Sequence, residues 1–116
     1  MFRYMLKSKL HGATLTKTVL NYSGSIGIDA VLLKESDIIA GERVQVLNFN
    51  TGERIETYTI AEDENSGIIA LYGPAARCGQ PGDKLAILSY AMIPDNTARA
   101  LQAKVIIVGK NNTVHR

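Results

Sequence analysis

Apolar and polar residues alternate from the second residue onward. Phe2, Tyr4, Leu6, Ser8 and Leu10 fall on one side and Arg3, Lys7, Lys9 and His11 on the other, a period of two that predicts a strand. Lys9 and His11 then share a face, about 7 Å apart along it. Ala13 to Tyr22 is rich in β-branched residues and starts as a second extended stretch, with a turn at Lys17-Thr18. Ser23-Gly24-Ser25 interrupts, and Ile26-Gly27-Ile28 resumes the extended pattern. Asp29 suits a helix N-cap. An amphipathic helix follows from Ala30 to Ile39, closed by a left-handed glycine at Gly41.

The period of two returns from Arg43 to Asn50. Asn50-Thr51-Gly52 makes a hairpin turn, and Glu53 to Ile60 runs back. On that return strand Arg54, Glu56, Tyr58 and Ile60 lie on one face and Ile55, Thr57 and Thr59 on the other. A polar loop at 62–67 leads into a short buried strand, Ile68 to Tyr72. Gly73-Pro74-Ala75-Ala76 reads as a tight turn whose backbone approaches something closely, and Gly79 to Asp83 as another turn. Lys84 to Met92 is the candidate central strand. Pro94 to Leu101 predicts a helical turn or two, Val105 to Val108 a last strand, and Gly109 to Arg116 a frayed tail. About six or seven short strands with few helices favour a small closed β-barrel.

Composition narrows this picture. A chain of 116 residues has room for a single core, so one domain is expected over 1–116. A hydrophobic share of 46% argues against disorder. The net charge of +2 comes from scattered basic residues, which speaks against a nucleic-acid surface. Cys78 is the only cysteine, so neither an internal disulfide nor a cysteine-rich metal site is expected. No apolar run approaches membrane-spanning length, and the N-terminus lacks the apolar core of a signal peptide. A cytoplasmic protein without a membrane partner is the expectation.

The candidate chemistry lies at the break between strands, in Gly24-Ser25. A serine hydroxyl can attack the preceding carbonyl carbon and convert the amide to an ester, provided the fold strains that peptide or stabilises the oxyanion. Glycine on the acyl side leaves the approach open. Loss of the Ser25 α-proton would then break the ester by β-elimination, and hydrolysis would leave a pyruvoyl group and ammonia. A Gly-Ser pair is also a common turn, so its company has to carry the reading. Lys9 and His11 offer cations, and Arg54 can grip a carboxylate in bidentate fashion. Thr57 can hold an oxyanion, and Tyr58 can return a proton. A pyruvoyl ketone forms an imine with an amine substrate and stabilises the carbanion left by decarboxylation.

The residues that carry a family resemblance are Met5-Leu6-Lys7-Ser8-Lys9-Leu10-His11, Tyr22-Ser23-Gly24-Ser25-Ile26-Gly27-Ile28-Asp29, Asn50 through Tyr58, Gly73-Pro74-Ala75-Ala76-Arg77 and Pro81-Gly82-Asp83. In this order and spacing the sequence resembles the bacterial L-aspartate α-decarboxylases, pyruvoyl-dependent enzymes that make β-alanine for pantothenate and coenzyme A. The resemblance implies a double-psi β-barrel, a homotetramer with active sites between subunits, and cleavage into a 1–24 β-chain and a 25–116 α-chain. It implies that Ser25 becomes the pyruvoyl group, with Gly24 and Thr57 serving the cleavage and Tyr58 the protonation. Lys9, His11 and Arg54 would handle the carboxylates of L-aspartate. Tyr22, Thr57, Gly73, Pro74 and Ala75 would line the substrate site, and no metal is implied.

The need for a separate maturation factor stays open. Two positions depart from the family pattern. Tyr72 stands where most relatives carry asparagine, and Gly12 where they usually carry arginine. At Tyr72 the alternatives are an outward turn, a hydroxyl that substitutes for the amide, slow processing, or an altered pocket. Against the enzyme stand a relative that never matures and serves as a binding or assembly module, and a nucleic-acid-binding barrel. An uncut chain would favour the first, and salt-dependent binding of DNA or RNA the second.

Overall fold

A computed structural model describes residues 1–115. Its strands are β1 (Phe2–Thr14), β2 (Lys17–Val19), β3 (Ile26–Asp29), β4 (Arg43–Asn48), β5 (Arg54–Glu62), β6 (Ile69–Tyr72), β7 (Lys84–Pro94) and β8 (Lys104–Ile107). Two short helices, α1 (Ala30–Ser36) and α2 (Asp95–Ala98), accompany them, with 3₁₀ segments at Gly73–Cys78 and Lys110–Asn112. The strands form one mixed sheet of eight in the order β2-β6-β3-β5-β4-β7-β1-β8, slightly more than the six or seven expected. Parallel pairs join β1 to β8, β2 to β6 and β3 to β5, and the remaining pairs are antiparallel.

The long β1 keeps its alternation only by bulging twice. Its register against β7 slips between Leu6 and Ser8 and again between His11 and Ala13. The first slip changes which side chains face inward. Ser8 and Leu10 are fully buried, whereas Phe2 and Tyr4, expected on the same side, are exposed. The second slip falls at Gly12, whose φ of +85° suits a bulge. Asp29 does cap α1, accepting from the Val31 N–H at 2.9 Å. Its carboxylate also accepts from the N–H groups of Asn65 and Gly67, which ties the 62–67 loop to the helix start.

Lys17 and Thr18, expected at a turn, lie instead in β2, held extended by pairing with Ala70 and Leu71 of β6. The ends of the first helix and of the chain also differ from the sequence reading. The helix stops at Ser36 because Asp37, not Gly41, takes the left-handed position, with φ +57° and its N–H returned to Leu33 and Lys34 carbonyls. The chain end is not frayed through residue 115. Val108 bridges to Val114. Asn112 is buried, accepts from the Thr14 N–H at 2.8 Å and donates to the carbonyls of Thr14 and Gly67. Arg116, the last residue of that expected tail, lies outside the described residues.

The core collects Leu10, Ile26, Ile28, Val44, Val46, Ile69, Leu71, Leu85 and Ile87 from five of the strands, with Leu15 from a connection and Leu32 from α1. Burial on this scale is the main favourable term in folding. Both faces of β3 are covered, and it is buried along its whole length between β5 and β6. The chain just before β3 is therefore anchored firmly on its C-terminal side. No helix among the described residues is long and apolar enough to cross a membrane.

Candidate active site

β3 pairs Ile26 with Thr59 on one side and with Leu71 on the other. One residue earlier, Ser25 therefore enters between the Thr57–Tyr58 stretch of β5 and the end of β6. A cleft of about 450 Å³ opens there, lined by Ser23, Gly24, Ser25, Ile55, Glu56, Thr57, Tyr58, Tyr72, Pro74, Ala75 and Cys78. Seven residues singled out from the sequence thus meet in one place: Gly24, Ser25, Thr57, Tyr58, Tyr72, Pro74 and Ala75.

Ser25 is anomalous in two ways. Its φ is +107°, a region that L-residues with a side chain avoid, at a cost of order 1–3 kcal/mol. It is 1% exposed, and among the described residues its Oγ is the only buried side-chain polar atom without a hydrogen-bond partner. A buried hydroxyl left so costs about 1–3 kcal/mol. Gly24 beside it has φ +138°, reachable because it lacks a Cβ.

The Gly73 turn packs against this segment from behind. A Cβ on Gly73 would stand 2.8 Å from the Gly24 nitrogen and 2.8 Å from the Tyr22 carbonyl oxygen. The close approach expected from this turn is thus an approach to the Tyr22–Gly24 backbone. The turn continues as the 3₁₀ segment to Cys78, with Pro74 at its start.

Tyr72 resolves one of the alternatives left open. It does not turn outward, being 6% exposed. Its N–H donates to the Ser25 carbonyl at 3.0 Å, and its hydroxyl donates to Glu62 Oε2 at 2.7 Å. Its ring lies 4.8 Å from that of Tyr22, tilted by 37°, and the Lys17 ammonium stands 5.8 Å from its centre. Burial, then the Glu62 bond and charge, push its pKa up to about 12. Burial, with Glu53 nearby, also pushes the Cys78 thiol up, which disfavours the reactive thiolate.

The cations lie elsewhere. Sheet register sets His11 across from Ala86, Ala86 from Leu47 and Leu47 from Arg54. It sets Lys9 in the adjacent row with Leu88, Gln45 and Glu56. Arg54 donates to Gln45 Oε1 at 2.6 Å, and the His11 ring meets Phe49 edge-on at 5.4 Å. None of Lys9, His11 and Arg54 lines the Ser25 cleft, which contains no basic residue. Tyr22 touches the site through Tyr72 and is 53% exposed.

Sequence reasoning missed Ser23, Ile55, Glu56 and Cys78 as cleft residues and Glu62 as the partner of Tyr72. Only Ser23, next to the Gly-Ser pair, carried a local signal. No group of three or more His, Cys, Asp or Glu suited to a metal occurs among the described residues.

A mainly β fold thus isolates one serine hydroxyl without a partner beside a glycine of positive φ, with a phenol and a threonine along the same cleft. The family described as aspartate decarboxylase matches residues 1–115. Aspartate 1-decarboxylase of Carboxydothermus hydrogenoformans is 49% identical over 114 residues, covering 98% of this chain and 90% of that protein. The enzymes of the same name from Pelotomaculum thermopropionicum and Thermoanaerobacter pseudethanolicus are each 48% identical, over 98% and 97% of this chain and 86% and 96% of their own lengths. The chain belongs to the aspartate decarboxylase family.

Proposed function

We propose that the catalytic ketone of this chain is cut from its own backbone at Gly24-Ser25. The reaction is that of the family: L-aspartate loses one carboxylate as carbon dioxide and leaves as β-alanine, which feeds pantothenate and coenzyme A synthesis. The observation that carries the self-cleavage is the Ser25 hydroxyl, buried without a partner on a backbone of positive φ. It has no hydrogen bond to surrender before attacking.

The bookkeeping of the cleavage closes with one water. Ser25 Oγ bonds to the Gly24 carbonyl carbon, the C–N bond breaks, and the freed Ser25 nitrogen takes the hydroxyl proton. Thr57, in the same cleft, supplies a hydroxyl donor for the oxyanion. Loss of the Ser25 α-proton expels Gly24 as a carboxylate. The remaining enamine takes up water, releases ammonia and becomes the pyruvoyl cap of a 25–116 α-chain, with 1–24 as the β-chain. The orphaned hydroxyl and the glycine beside it fit this group.

Once formed, the pyruvoyl group supplies an electrophile that takes the substrate amine and draws electrons from the carbon that loses carbon dioxide. The Tyr58 hydroxyl returns a proton to that carbon. Tyr22, Gly73, Pro74 and Ala75 form walls that orient the substrate. Lys9, His11 and Arg54 bind its two carboxylates, yet the cleft of one chain holds no cation. A dianionic substrate therefore favours a homotetramer in which the basic rows of one copy face the cleft of the next. Exposed Tyr4, Tyr90, Met92, Val105 and Ile107 offer apolar surface for that assembly. The three parallel pairings within an otherwise antiparallel sheet support the double-psi β-barrel, formed as one domain and working in the cytoplasm.

Intact mass spectrometry of purified protein tests this directly. Two fragments ending at Gly24 and beginning with a pyruvoyl-capped residue 25 are expected, and full-length chain only for Ser25→Ala. Lys9→Ala is expected to cleave normally and to raise KM for L-aspartate at least tenfold. An assembled wild-type protein that stays whole after prolonged warming, or whose new end is an ordinary amine, overturns the reading.

A further inference from the structure

The strained segment is gripped from one neighbouring residue. Tyr72 reaches its C-terminal end with a backbone N–H on the Ser25 carbonyl, 3.0 Å away. It reaches the N-terminal end with its ring on that of Tyr22, 4.8 Å between centres. Between these two contacts Gly73 lies so near Gly24 and the Tyr22 carbonyl that no room is left for a Cβ. The backbone bond is available to any residue at position 72. The hold on Tyr22 is not, because it needs a flat ring.

That ring is itself fixed in place. Its hydroxyl donates to Glu62 Oε2 at 2.7 Å from the end of β5. The space for the pair exists because residue 27 is glycine. A Cβ there would lie 1.9 Å from Glu62 Oε2 and 2.9 Å from Tyr72 Cε2. Gly27, Glu62 and Tyr72 therefore fit together as a set. The phenol is committed to the Glu62 carboxylate, which leaves the ring's position as its contribution.

We propose that Tyr72, seated by Glu62 in the space that Gly27 leaves, is a positioning residue that holds Tyr22 to Ser25 in the strained form and so sets the rate of the acyl shift. This rests on the self-cleavage proposed above. Without the ring, Tyr22 loses its aromatic neighbour, and the segment relaxes toward ordinary backbone angles. The hydroxyl of Ser25 then spends less time in line with the Gly24 carbonyl.

The test follows precursor, isolated cold and then warmed, by intact mass. Tyr72→Leu removes the ring and is expected to slow cleavage about tenfold, the scale of a lost aromatic pair in a packed site. Tyr72→Phe keeps the ring and loses only the Glu62 bond, and it should restore the rate to within about threefold of wild type. Gly27→Ala should slow cleavage about as much as Tyr72→Leu by displacing both Glu62 and the ring. Tyr22→Leu combined with Tyr72→Leu should be no slower than the slower single variant, because both remove one contact.

Hydroxylamine separates the steps, since it traps the ester as soon as it forms. Hydroxylamine-driven cleavage should slow by the same factor in Tyr72→Leu. Melting temperatures measured on a Ser25→Ala background keep loss of fold apart from loss of positioning. Rate losses that track melting temperature and are not restored by Tyr72→Phe overturn the inference. So does cleavage of Tyr72→Leu within twofold of wild type, or a defect seen only after the ester has formed. If wild-type chain stays whole, the self-cleavage reading fails first and this inference with it. If wild type cleaves and the ring proves irrelevant, only this inference fails.

Discussion

The fold buries two kinds of polar side chain, and they behave in opposite ways. Around Asn48 and Asn112 every bond is made. Asn48 donates to Asp83 Oδ2 at 2.9 Å and to the Cys78 carbonyl at 3.0 Å, and its Oδ1 accepts from the N–H groups of Asn50 and Thr51. Asn112 pins the chain end to Thr14 and Gly67 with three bonds. Ser8, Ser36 and Thr59 likewise give their hydroxyls to backbone carbonyls. Ser25 is buried as deeply and has nothing. Satisfied groups tie distant strands together, whereas the unsatisfied one sits where the chain is strained, the site of the nucleophile in the proposed cleavage. Burial is the same in both regions, and reactivity follows from what the scaffold withholds.

The sharpest way to break this contrast is at Gly73. Its φ is +69°, and a methyl added there would meet Tyr22 and Gly24 at 2.8 Å. Gly73→Ala is expected to slow self-cleavage at least a hundredfold, because the strained segment must move to admit the methyl. A stability loss of about 2–4 kcal/mol should accompany it, from overpacking and a disfavoured φ. Mass spectrometry of warmed precursor and urea unfolding report the two effects separately. Normal cleavage in this variant would mean that the turn does not support the reacting peptide.

Asn112→Ala probes the satisfied side. It leaves the Thr14 N–H and two carbonyls without their partner, and a loss of about 2–4 kcal/mol is expected. Cleavage at Gly24-Ser25 should continue at the wild-type rate wherever the protein remains folded. Urea unfolding on a Ser25→Ala background gives the first number, and mass spectrometry of the cleavable chain gives the second.

These residues were unequally visible in the sequence. Gly24-Ser25, the 50–52 turn and the Asp29 cap announce themselves because their chemistry is local, a matter of adjacent residues and preferred φ. The alternation on β5 likewise set exposed Arg54, Glu56 and Tyr58 apart from Ile55, Thr57 and Thr59, although Thr57 and Tyr58 both border the Ser25 cleft. The bulge between Leu6 and Ser8 was invisible, because register against β7 is decided by the partner strand and not by β1 alone. Asn112 gave no hint either, since its partner Thr14 is 98 residues away. The helix ends at Asp37 because aspartate, like glycine, tolerates the left-handed region, which a sequence offering Gly41 four residues on does not reveal. For the site, Gly24, Ser25, Thr57, Tyr58, Pro74 and Ala75 do share one cleft, but alternation could not say that Lys9, His11 and Arg54 stand apart from it within one chain. That separation is a property of eight strands laid in order, not of any motif.

The smallest expected effect concerns Glu42, which accepts bonds as fully as Ser25 lacks them. It takes the Lys7 ammonium at 2.9 Å, the Ile39 N–H at 3.2 Å and the Ser89 hydroxyl. Burial by itself would raise its pKa, but the bonds from Ser89, Lys7 and Ile39 and the Lys7 charge together hold it below the ordinary 4.5. A carboxylate with a depressed pKa contributes stability that is complete above its unfolded value and lost as pH falls through the lower folded value. Glu42→Gln should therefore cost about 1–2 kcal/mol at pH 7, with the gap to wild type constant down to the ordinary carboxylate range and closing below it. Urea unfolding across that range on a Ser25→Ala background reads the gap, and cleavage measured alongside in the intact chain should not change. A gap that persists at low pH would assign the loss to packing and not to charge. A change in cleavage would mean that the network behind β1 reaches the strained peptide, and the two kinds of buried group would no longer be separate.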